Sequence, residues 1–382
     1  MDFELSNQQK DIIKAAREFA EKEISEVARE CDEKEEVPTS VWKKACELGF
    51  VGVFIGKEYG GPGLGNLEHC LILEEFWKVD PGCGAAISTC FGSEMIVLFG
   101  SEEQKKRYLP LIVKGQAISG AAITEPNAGS DVSSVATSAV KDGEEYVING
   151  NKTFITNGTR ASYLVVLCLT NPDNTSRYNR HSVLIVETDR EGFEATKIKN
   201  KLGIRASDTA DISFESVRVP RTNLVGEEGK GFQQFMGFFN CTRIHVCAQA
   251  VGIAQGAMGK AIKYVKERKQ FGKAIASFQN TQFKIAEMAT RIAASRNLYY
   301  QAAWMADQGK FDPKLAAMAK LISSETAVWV ANEALQLHGG YGFIAEYDVQ
   351  RYYRDAKIVE IYEGTREIEK LIIGRALLGK YD

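Results

Sequence analysis

The sequence lacks the features of a nucleic-acid-binding or membrane protein. Of its 382 residues, 47 are Lys or Arg and 50 are Asp or Glu, so the net charge is only −3. The basic residues are scattered and form no track for a phosphate backbone. No apolar run approaches the ~18–20 residues that a membrane helix requires. We therefore expect neither nucleic acid nor a membrane as a partner.

Metal-binding and paired-cysteine motifs are missing as well. The four histidines are His69, His181, His245 and His338. They stand far apart and form no ligand motif such as HExxH, so no metal site is predicted. None of the eight cysteines belongs to a CxxC pair, and most lie in apolar surroundings. We interpret them as buried thiols of a protein in a reducing compartment.

Targeting and nucleotide-binding motifs are also absent. The acidic N-terminus runs directly into a helical pattern, which fits neither a secretory signal nor an Arg-rich transit peptide. We expect a cytoplasmic protein, or a mature matrix protein whose presequence is missing. No GxGxxG follows a predicted strand and no GxxxxGK(S/T) occurs, so a Rossmann-type nicotinamide dehydrogenase and a P-loop enzyme are disfavoured.

The order of local patterns predicts a mixed α and β (α+β) protein in several parts. A chain of 382 residues exceeds the ~250–300 residues that one core usually holds. Residues 1–115 show helical periodicity, and residues 116–228 show short β-rich runs separated by turn residues. Residues 229–382 contain only one proline, Pro313, which permits long helices. We predict an N-terminal α-helical domain, a middle β domain and a C-terminal helical bundle.

Several element ends can be placed from local signals. Ser6 is a good N-cap for the first helix, and Ser101 begins a capping box for a helix that Gly115 would end. The dipeptide Asn149-Gly150 between strand-like runs predicts a β-hairpin. The C-terminal helices are predicted over residues 232–269, 279–307, 313–338 and 367–378.

Three features could carry chemistry, and each has a simpler interpretation. The polar loop 122–131 could bring backbone N–H groups close to an anionic or heteroaromatic ligand, but composition alone favours an Asn/Gly turn. Glu363 could face a closed pocket that raises the pKa of its carboxyl group toward that of a useful base. Its local context alone favours a charge that complements the dipole of the next helix. Arg268 either stabilises a helix end or binds a pyrophosphate.

Over essentially its whole length, the chain resembles the acyl-CoA dehydrogenases. Two stretches carry the resemblance, Ala122–Asp131 and Gln336–Thr365, and they occur in the expected order within an α-β-α plan. The resemblance implies an N-terminal helical domain, a middle β-barrel-like domain and a C-terminal four-helix bundle. It also implies non-covalent FAD, an acyl-CoA thioester substrate, electron-transfer flavoprotein as electron acceptor and a homotetramer.

The resemblance assigns roles to individual residues. Glu363 matches the catalytic base that takes the α-proton while flavin N5 takes the β-hydride, and the Glu363 N–H with a ribityl hydroxyl stabilises the developing enolate. Phe154 stands where tryptophan is common. The positions that match flavin contacts, several of them across a subunit boundary, are Ile123, Thr124, Ser130, Phe154, Ile155, Thr156, Arg268, Gln270, Phe271, Gln279, Gln336, Gly339, Gly340, Gly364, Thr365 and Glu367. The positions that match the substrate side are Ser130, Asn240, Thr242, Arg243 and Arg375.

The same resemblance bears on specificity. One branch of the family places its base at the position of Cys241, and a cysteine there leaves Glu363 without a competitor. Glutaryl-type enzymes carry an arginine in the helix equivalent to residues 82–90, where this chain has no basic residue. An uncharged short-chain, branched or alicyclic acyl group is therefore expected. An acyl-CoA oxidase, an enoyl-CoA reductase on the same scaffold and a non-catalytic helical interaction protein are the alternatives.

Overall fold

The computed structural model describes residues 4–88 and 90–379. Within these residues, helices come first, a β-sheet follows and helices return, which confirms the predicted fold class. A π-helical segment, Ala20–Ile24, joins the first two helices without a break. The helices of the first part are α1 (Asn7–Phe19), α2 (Ser25–Lys34), α3 (Thr39–Glu47), α4 (Asn66–Val79), α5 (Pro81–Ser88), α6 (Ser93–Phe99) and α7 (Glu102–Val113).

The predicted ends of two N-terminal helices are confirmed. The N–H of Gln9 donates to Ser6 Oγ at 3.1 Å, and the N–H of Gln104 donates to Ser101 Oγ at 3.2 Å. Both caps are reciprocal capping boxes, because the glutamine side chain accepts from the backbone of the capping serine. Gly115 follows the end of α7 with a φ of 62°.

The middle part is one sheet in which β6-β7-β3-β2-β4-β5-β8 are neighbours and β1 pairs with β4. The long apolar run of β4 is explained by burial on both faces. Leu164 and Val166 belong to a core between strands, whereas Val165 and Leu167 pack against the helices. The strands are β1 (Ser119–Ala122), β2 (Ser138–Asp142), β3 (Glu145–Thr156), β4 (Tyr163–Leu169), β5 (His181–Glu187), β6 (Phe193–Lys197), β7 (Thr209–Pro220) and β8 (Leu224–Val225).

The predicted hairpin at Asn149-Gly150 is wrong, because β3 runs straight through this dipeptide. The pairing of β3 with β7 shifts register beside Gly150, as in a β-bulge. Gly150 has a φ of 145°, and a Cβ there would lie 2.6 Å from Thr137 Oγ1. The Asn149 side chain accepts a hydrogen bond from the N–H of Ser216. The turn between β2 and β3 lies instead at Gly143, whose φ is 58°.

The C-terminal part contains α8 (Gly231–Glu267), α9 (Gln279–Asp307), α10 (Pro313–His338), α11 (Val349–Ala356) and α12 (Arg366–Leu378). The prediction extended α8 to residue 269, but the helix stops at Glu267 because Arg268 is extended and leads into a two-stranded hairpin. Its strands are β9 (Lys269–Gln270) and β10 (Lys273–Ala274). Pro313 begins α10 as predicted, with Asp312 as N-cap.

The cysteines are free, and seven of the eight are buried, as predicted; Cys241 is half-buried. Among the described residues, no single helix is long and apolar enough to cross a bilayer. Taken together across a bend of 43°, α5 and α6 pass that test by length and composition only.

Candidate active site

Glu363 lies in the loop that precedes α12, as predicted. Its backbone has a φ of 55°, in the left-handed region, and Gly364 follows with a φ of 104°. A non-glycine residue in this conformation costs about 1–3 kcal/mol, so the surroundings must hold the loop in place. Thr365 then caps α12, since its side chain accepts from the N–H of Ile368 at 3.4 Å.

The side chain of Glu363 is half-buried, and its carboxyl group is surrounded by groups of the same chain. Burial raises its pKa above the ordinary value of 4.5, while a hydrogen bond from Thr242 and the charges of Arg243 and Lys320 act in the opposite direction. The hydroxyl of Thr242, on α8, donates to Glu363 Oε2. A desolvated carboxylate with one fixed donor suits a general base.

Charged groups from three helices fix the backbone around this carboxylate. Arg243 Nε, on α8, lies 3.2 Å from the carbonyl oxygen of Glu363 and 3.1 Å from Glu369 Oε1. Lys320, on α10, donates to the carbonyl oxygen of Gly364. Burial raises the pKa of Glu369, on α12, to about 7, with the two cations lowering it. We call Thr242, Arg243, Lys320, Glu363 and Glu369 the Glu363 corner.

The N–H of Glu363 has no hydrogen-bond partner within residues 4–88 and 90–379. The carbonyl oxygens of Glu363 and Gly364 accept hydrogen bonds from Arg243 and Lys320, respectively. One residue therefore offers both a half-buried carboxylate and an unoccupied backbone donor. An N–H in this position can stabilise negative charge that develops on a carbonyl oxygen of a ligand.

Five of the predicted flavin contacts line one surface cleft of about 580 Å³, a volume within the usual range of ligand sites. A Cβ added at Gly339 or Gly340 would meet no atom within 4 Å, so the backbone here is open to a ligand. The residues lining this cleft all come from the C-terminal part of the chain. We call it the Arg268 cleft, after Arg268, Gln270, Gln336, Gly339 and Gly340.

Two further predicted contacts lie beside this cleft on exposed surface. Phe271, in the hairpin turn, is 93% exposed with a φ of 52°. Gln279, also exposed, is the first residue of α9. The Arg268 guanidinium itself lies over the ring of Tyr341, 5.4 Å from its centroid.

The middle-part residues of the predicted flavin set are held by a buried ion pair. Lys152, on β3, lies 2.8 Å from Glu125 and donates to the carbonyl oxygen of Ile123 at 3.0 Å. The carbonyl oxygen of Thr124 accepts from the N–H of Thr153 at 2.9 Å. The loop after β1 is thereby fastened to the strand that carries the second group of predicted contacts.

On β3 itself, Phe154 is 67% exposed with a φ of 59°, next to a register shift in the pairing with β7. Ile155 is buried and Thr156 is half-buried, and Ser130 lies exposed in the loop. A non-glycine residue with a positive φ is strained, and the aromatic ring of Phe154 is exposed as well. This arrangement costs free energy, and contact with a ligand could offset that cost.

Some predicted residues lie away from the Glu363 corner. Arg375 is exposed near the far end of α12, about 13 Å along the helix axis from its first residue. Glu367 is exposed in the first turn. Asn240, by contrast, contacts the Glu363 corner, because its Oδ1 accepts a hydrogen bond from Arg243 at 3.1 Å.

Sequence reasoning missed Lys320 and Glu369. Lys320 is fully buried although it is charged, and Glu369 is fully buried as well. The available signal for Lys320 was a lone charge in the apolar stretch Leu315–Ile322 of a predicted helix. A lysine in such a position is rarely buried unless it has a partner.

Family models match all three parts of the chain. The acyl-CoA dehydrogenase N-terminal domain matches residues 6–116, the middle domain residues 120–217 and the C-terminal domain residues 229–378. Acryloyl-CoA reductase (NADH) of Anaerotignum propionicum is 46% identical to this chain, over 99% of this chain and 96% of the relative.

Two solved structures are similar over the same extent. Butyryl-CoA dehydrogenase from Megasphaera elsdenii matches with a TM-score of 0.95 and 39% identity, over 99% of this chain and 100% of the other. A chain from work on the electron transferring flavoprotein of Acidaminococcus fermentans matches with a TM-score of 0.96 and 43% identity, over 100% of both chains. The protein is an oxidoreductase that belongs to the acyl-CoA dehydrogenase family.

Proposed function

We propose that this chain uses FAD to interconvert a short, uncharged acyl-CoA thioester and its 2-enoyl-CoA. The observation that carries the proposal is that Glu363 supplies two groups at once. Its carboxyl group has a raised pKa, and the N–H of its strained backbone has no hydrogen-bond partner among the described residues. Removal of the weakly acidic α-proton of a thioester requires a base at Cα and a donor at the carbonyl oxygen.

Each residue of the Glu363 corner has a part in this scheme. Glu363 takes the proton from Cα, or returns it in the opposite direction, and its N–H polarises the thioester carbonyl. The hydroxyl of Thr242 orients the carboxylate. Arg243 and Lys320 occupy the carbonyl oxygens of the loop and keep the left-handed turn in place.

The residues present fit FAD. When bound, the flavin supplies the two-electron acceptor or donor for hydride transfer at Cβ. The Arg268 cleft offers an exposed guanidinium for pyrophosphate and a glycine backbone that a ligand can approach closely. Phe154 offers an exposed aromatic face for the flavin ring, and Ile155 and Thr156 follow it on β3. Because the cleft is lined by the C-terminal part alone, we propose a homotetramer in which cofactor sites form between chains.

The amino-acid composition of α5 supports the proposal of a short, uncharged acyl group. Its residues Pro81–Ser88 are buried and include no charged side chain. Cys90, the end of the stretch compared with glutaryl-type enzymes, is buried too, and Thr89 lies outside the described residues. The acryloyl and butyryl groups in the names of two similar proteins are short and uncharged.

The physiological direction has two candidates. Dehydrogenation, with electrons passed to electron-transfer flavoprotein, agrees with similarity to butyryl-CoA dehydrogenase and to the chain from work on an electron transferring flavoprotein. Reduction of the enoyl-CoA is favoured by the 46% identity to a protein named acryloyl-CoA reductase (NADH). We further propose a cytoplasmic location for either activity.

The proposal is tested by anaerobic bleaching of the purified flavoprotein with propionyl-, butyryl-, isobutyryl- and glutaryl-CoA. We expect rapid bleaching with one of the uncharged substrates and little with glutaryl-CoA. Reoxidation by acryloyl-CoA or crotonyl-CoA then compares the two directions. A colourless protein that takes up no FAD contradicts the proposal, and fast peroxide formation in air identifies an oxidase instead.

A further inference from the structure

Three buried polar side chains near the Glu363 corner lie close together, and each has one atom without a hydrogen-bond partner among the described residues. They are His69 on α4, Glu94 on α6 and His245 on α8, and one ligand atom from each lies within 4.8 Å of the other two. Within the described part of the chain, Nδ1 of both histidines and Oε2 of Glu94 have no hydrogen-bond partner. Each unpaired buried group costs about 1–3 kcal/mol, so a species that contacts all three would be strongly favoured.

The orientation of His245 is fixed from behind. Both the side-chain amide and the backbone N–H of Asn66 donate to Asp307 Oδ1, at 2.9 and 2.7 Å. Asn66 Oδ1 is therefore left as an acceptor, 3.2 Å from His245 Nε2. An acceptor at this position favours the tautomer with the proton on Nε2, which leaves the lone pair of Nδ1 free to ligate. Histidines that ligate metals are commonly held in this way, with the second nitrogen donating to an oxygen.

We propose that His69, Glu94 and His245 bind one divalent transition-metal ion, for which Zn²⁺ is the best match. Two imidazoles and one carboxylate are donors that zinc prefers, whereas Ca²⁺ and Mg²⁺ require more oxygen ligands. In tetrahedral coordination, metal–ligand bonds of about 2.0–2.2 Å place the ligand atoms about 3.3–3.6 Å apart. The separations of up to 4.8 Å therefore require the three side chains to close by about 1.2–1.5 Å when the ion binds.

The charges around the cluster favour a cation over a single buried water. No Lys or Arg of the described residues forms an ion pair with Glu94. A buried water would satisfy the hydrogen bonds of these three groups but, unlike a cation, would leave an ionised Glu94 without a counter-charge.

The sequence predicts no metal site because the histidines are far apart in the chain. In the folded chain, however, the ring centroids of His69 and His245 lie 4.5 Å apart. An ion at this point would join α4, α6 and α8 behind the Glu363 corner. Metal binding by these three side chains would not depend on the direction of catalysis or on the acyl group.

The test uses the FAD-loaded protein after removal of metals by chelator dialysis. Zinc is added in steps, and bound zinc is measured by mass spectrometry after gel filtration, with thermal unfolding in parallel. We expect one zinc per chain and a higher Tm for the wild type. Glu94→Gln, which keeps the shape of the side chain, and His69→Gln should each weaken binding by more than about 100-fold, since loss of a group that only supports a ligand already costs about 10–100-fold.

Two control variants separate this site from adventitious binding. His338→Gln removes another buried histidine, whose Nδ1 lies 2.7 Å from the carbonyl oxygen of Ala334, and should leave zinc binding unchanged. Cys241→Ser tests the nearby thiol and should also leave it unchanged. Equal zinc binding by wild type and Glu94→Gln, or none by wild type, overturns the proposal.

A crystal of the wild type grown with zinc gives a reading that does not depend on the folding of any variant. An anomalous peak between the three side chains supports the proposal. Water alone at that position, with no anomalous signal, overturns it.

Discussion

The Glu363 corner and the Arg268 cleft serve the same proposed reaction, yet they are built in opposite ways. In the corner, Arg243, Lys320 and Glu369 are buried and bonded to groups of the same chain. In the cleft, Arg268 and the glycines face solvent, and Phe271 beside it is 93% exposed. The corner is complete in one chain, whereas the cleft presents surface to a ligand or to a second chain.

The difference follows from the cost of burying charge. A buried cation or carboxylate without a partner is strongly destabilising, so the corner must be assembled when the chain folds. Exposed groups in the cleft remain hydrated until a ligand replaces the water. Substitutions in the corner should therefore affect chemistry and stability, and those in the cleft should affect cofactor retention and assembly.

The largest effect is expected for Glu363→Gln. The amide keeps the shape but cannot accept the α-proton, so flavin reduction by the best acyl-CoA should fall by about 10²–10⁴-fold, with FAD retained. Stopped-flow bleaching measures the rate, and the exposed Glu346→Gln serves as the control. A rate near that of the wild type would show that the corner does not hold the base.

Arg243→Met should give the next largest effect, now on stability. It leaves buried Glu369 without its ion pair, and we expect a loss of about 3–5 kcal/mol in the free energy of unfolding. Adding Glu369→Gln should recover part of the loss, because the unpaired charge is removed. Urea unfolding of the four proteins in this cycle measures the coupling. Strictly additive losses would mean that the pair does not interact.

The pH dependence distinguishes the two directions of the reaction. Dehydrogenation needs Glu363 ionised, so its rate should rise with pH through a pKa raised above 4.5. Enoyl reduction needs the protonated acid, so its rate should fall as pH rises through that pKa. Thr242→Val removes a hydrogen bond that lowers this pKa, and both midpoints should move to higher pH. Midpoints unchanged by this substitution would place the titrating group elsewhere.

Arg268→Met should have the smallest effect on folding and a clear one on the cofactor. Because the side chain is exposed, the free energy of unfolding should change by less than about 0.5 kcal/mol. The loss of a guanidinium for pyrophosphate should weaken FAD retention by about tenfold. FAD content after gel filtration and mass by light scattering measure the outcome, with exposed Lys266→Met as the matched control. Full FAD retention would show that the Arg268 cleft is not part of the cofactor site.

Local signals predicted element ends well where the stabilising bonds are local. Ser6 and Ser101 bond to groups three residues away, and Asp312 caps α10 within the same distance. The same logic failed at Asn149-Gly150, because the choice between a turn and a bulge was made by Thr137 and Ser216, which belong to other segments.

The sequence by itself determined the order of helical and β parts, the capped helix ends and the loop position of Glu363, and its motifs carried the family resemblance. Only the tertiary structure decided what surrounds that carboxylate, since Thr242 lies 121 residues away in the chain. It also decided that His69 and His245 meet beside Glu94. The physical reason is range: caps and periodicity depend on neighbours within one or two turns, whereas a buried charge is stabilised by whichever distant groups packing brings to it.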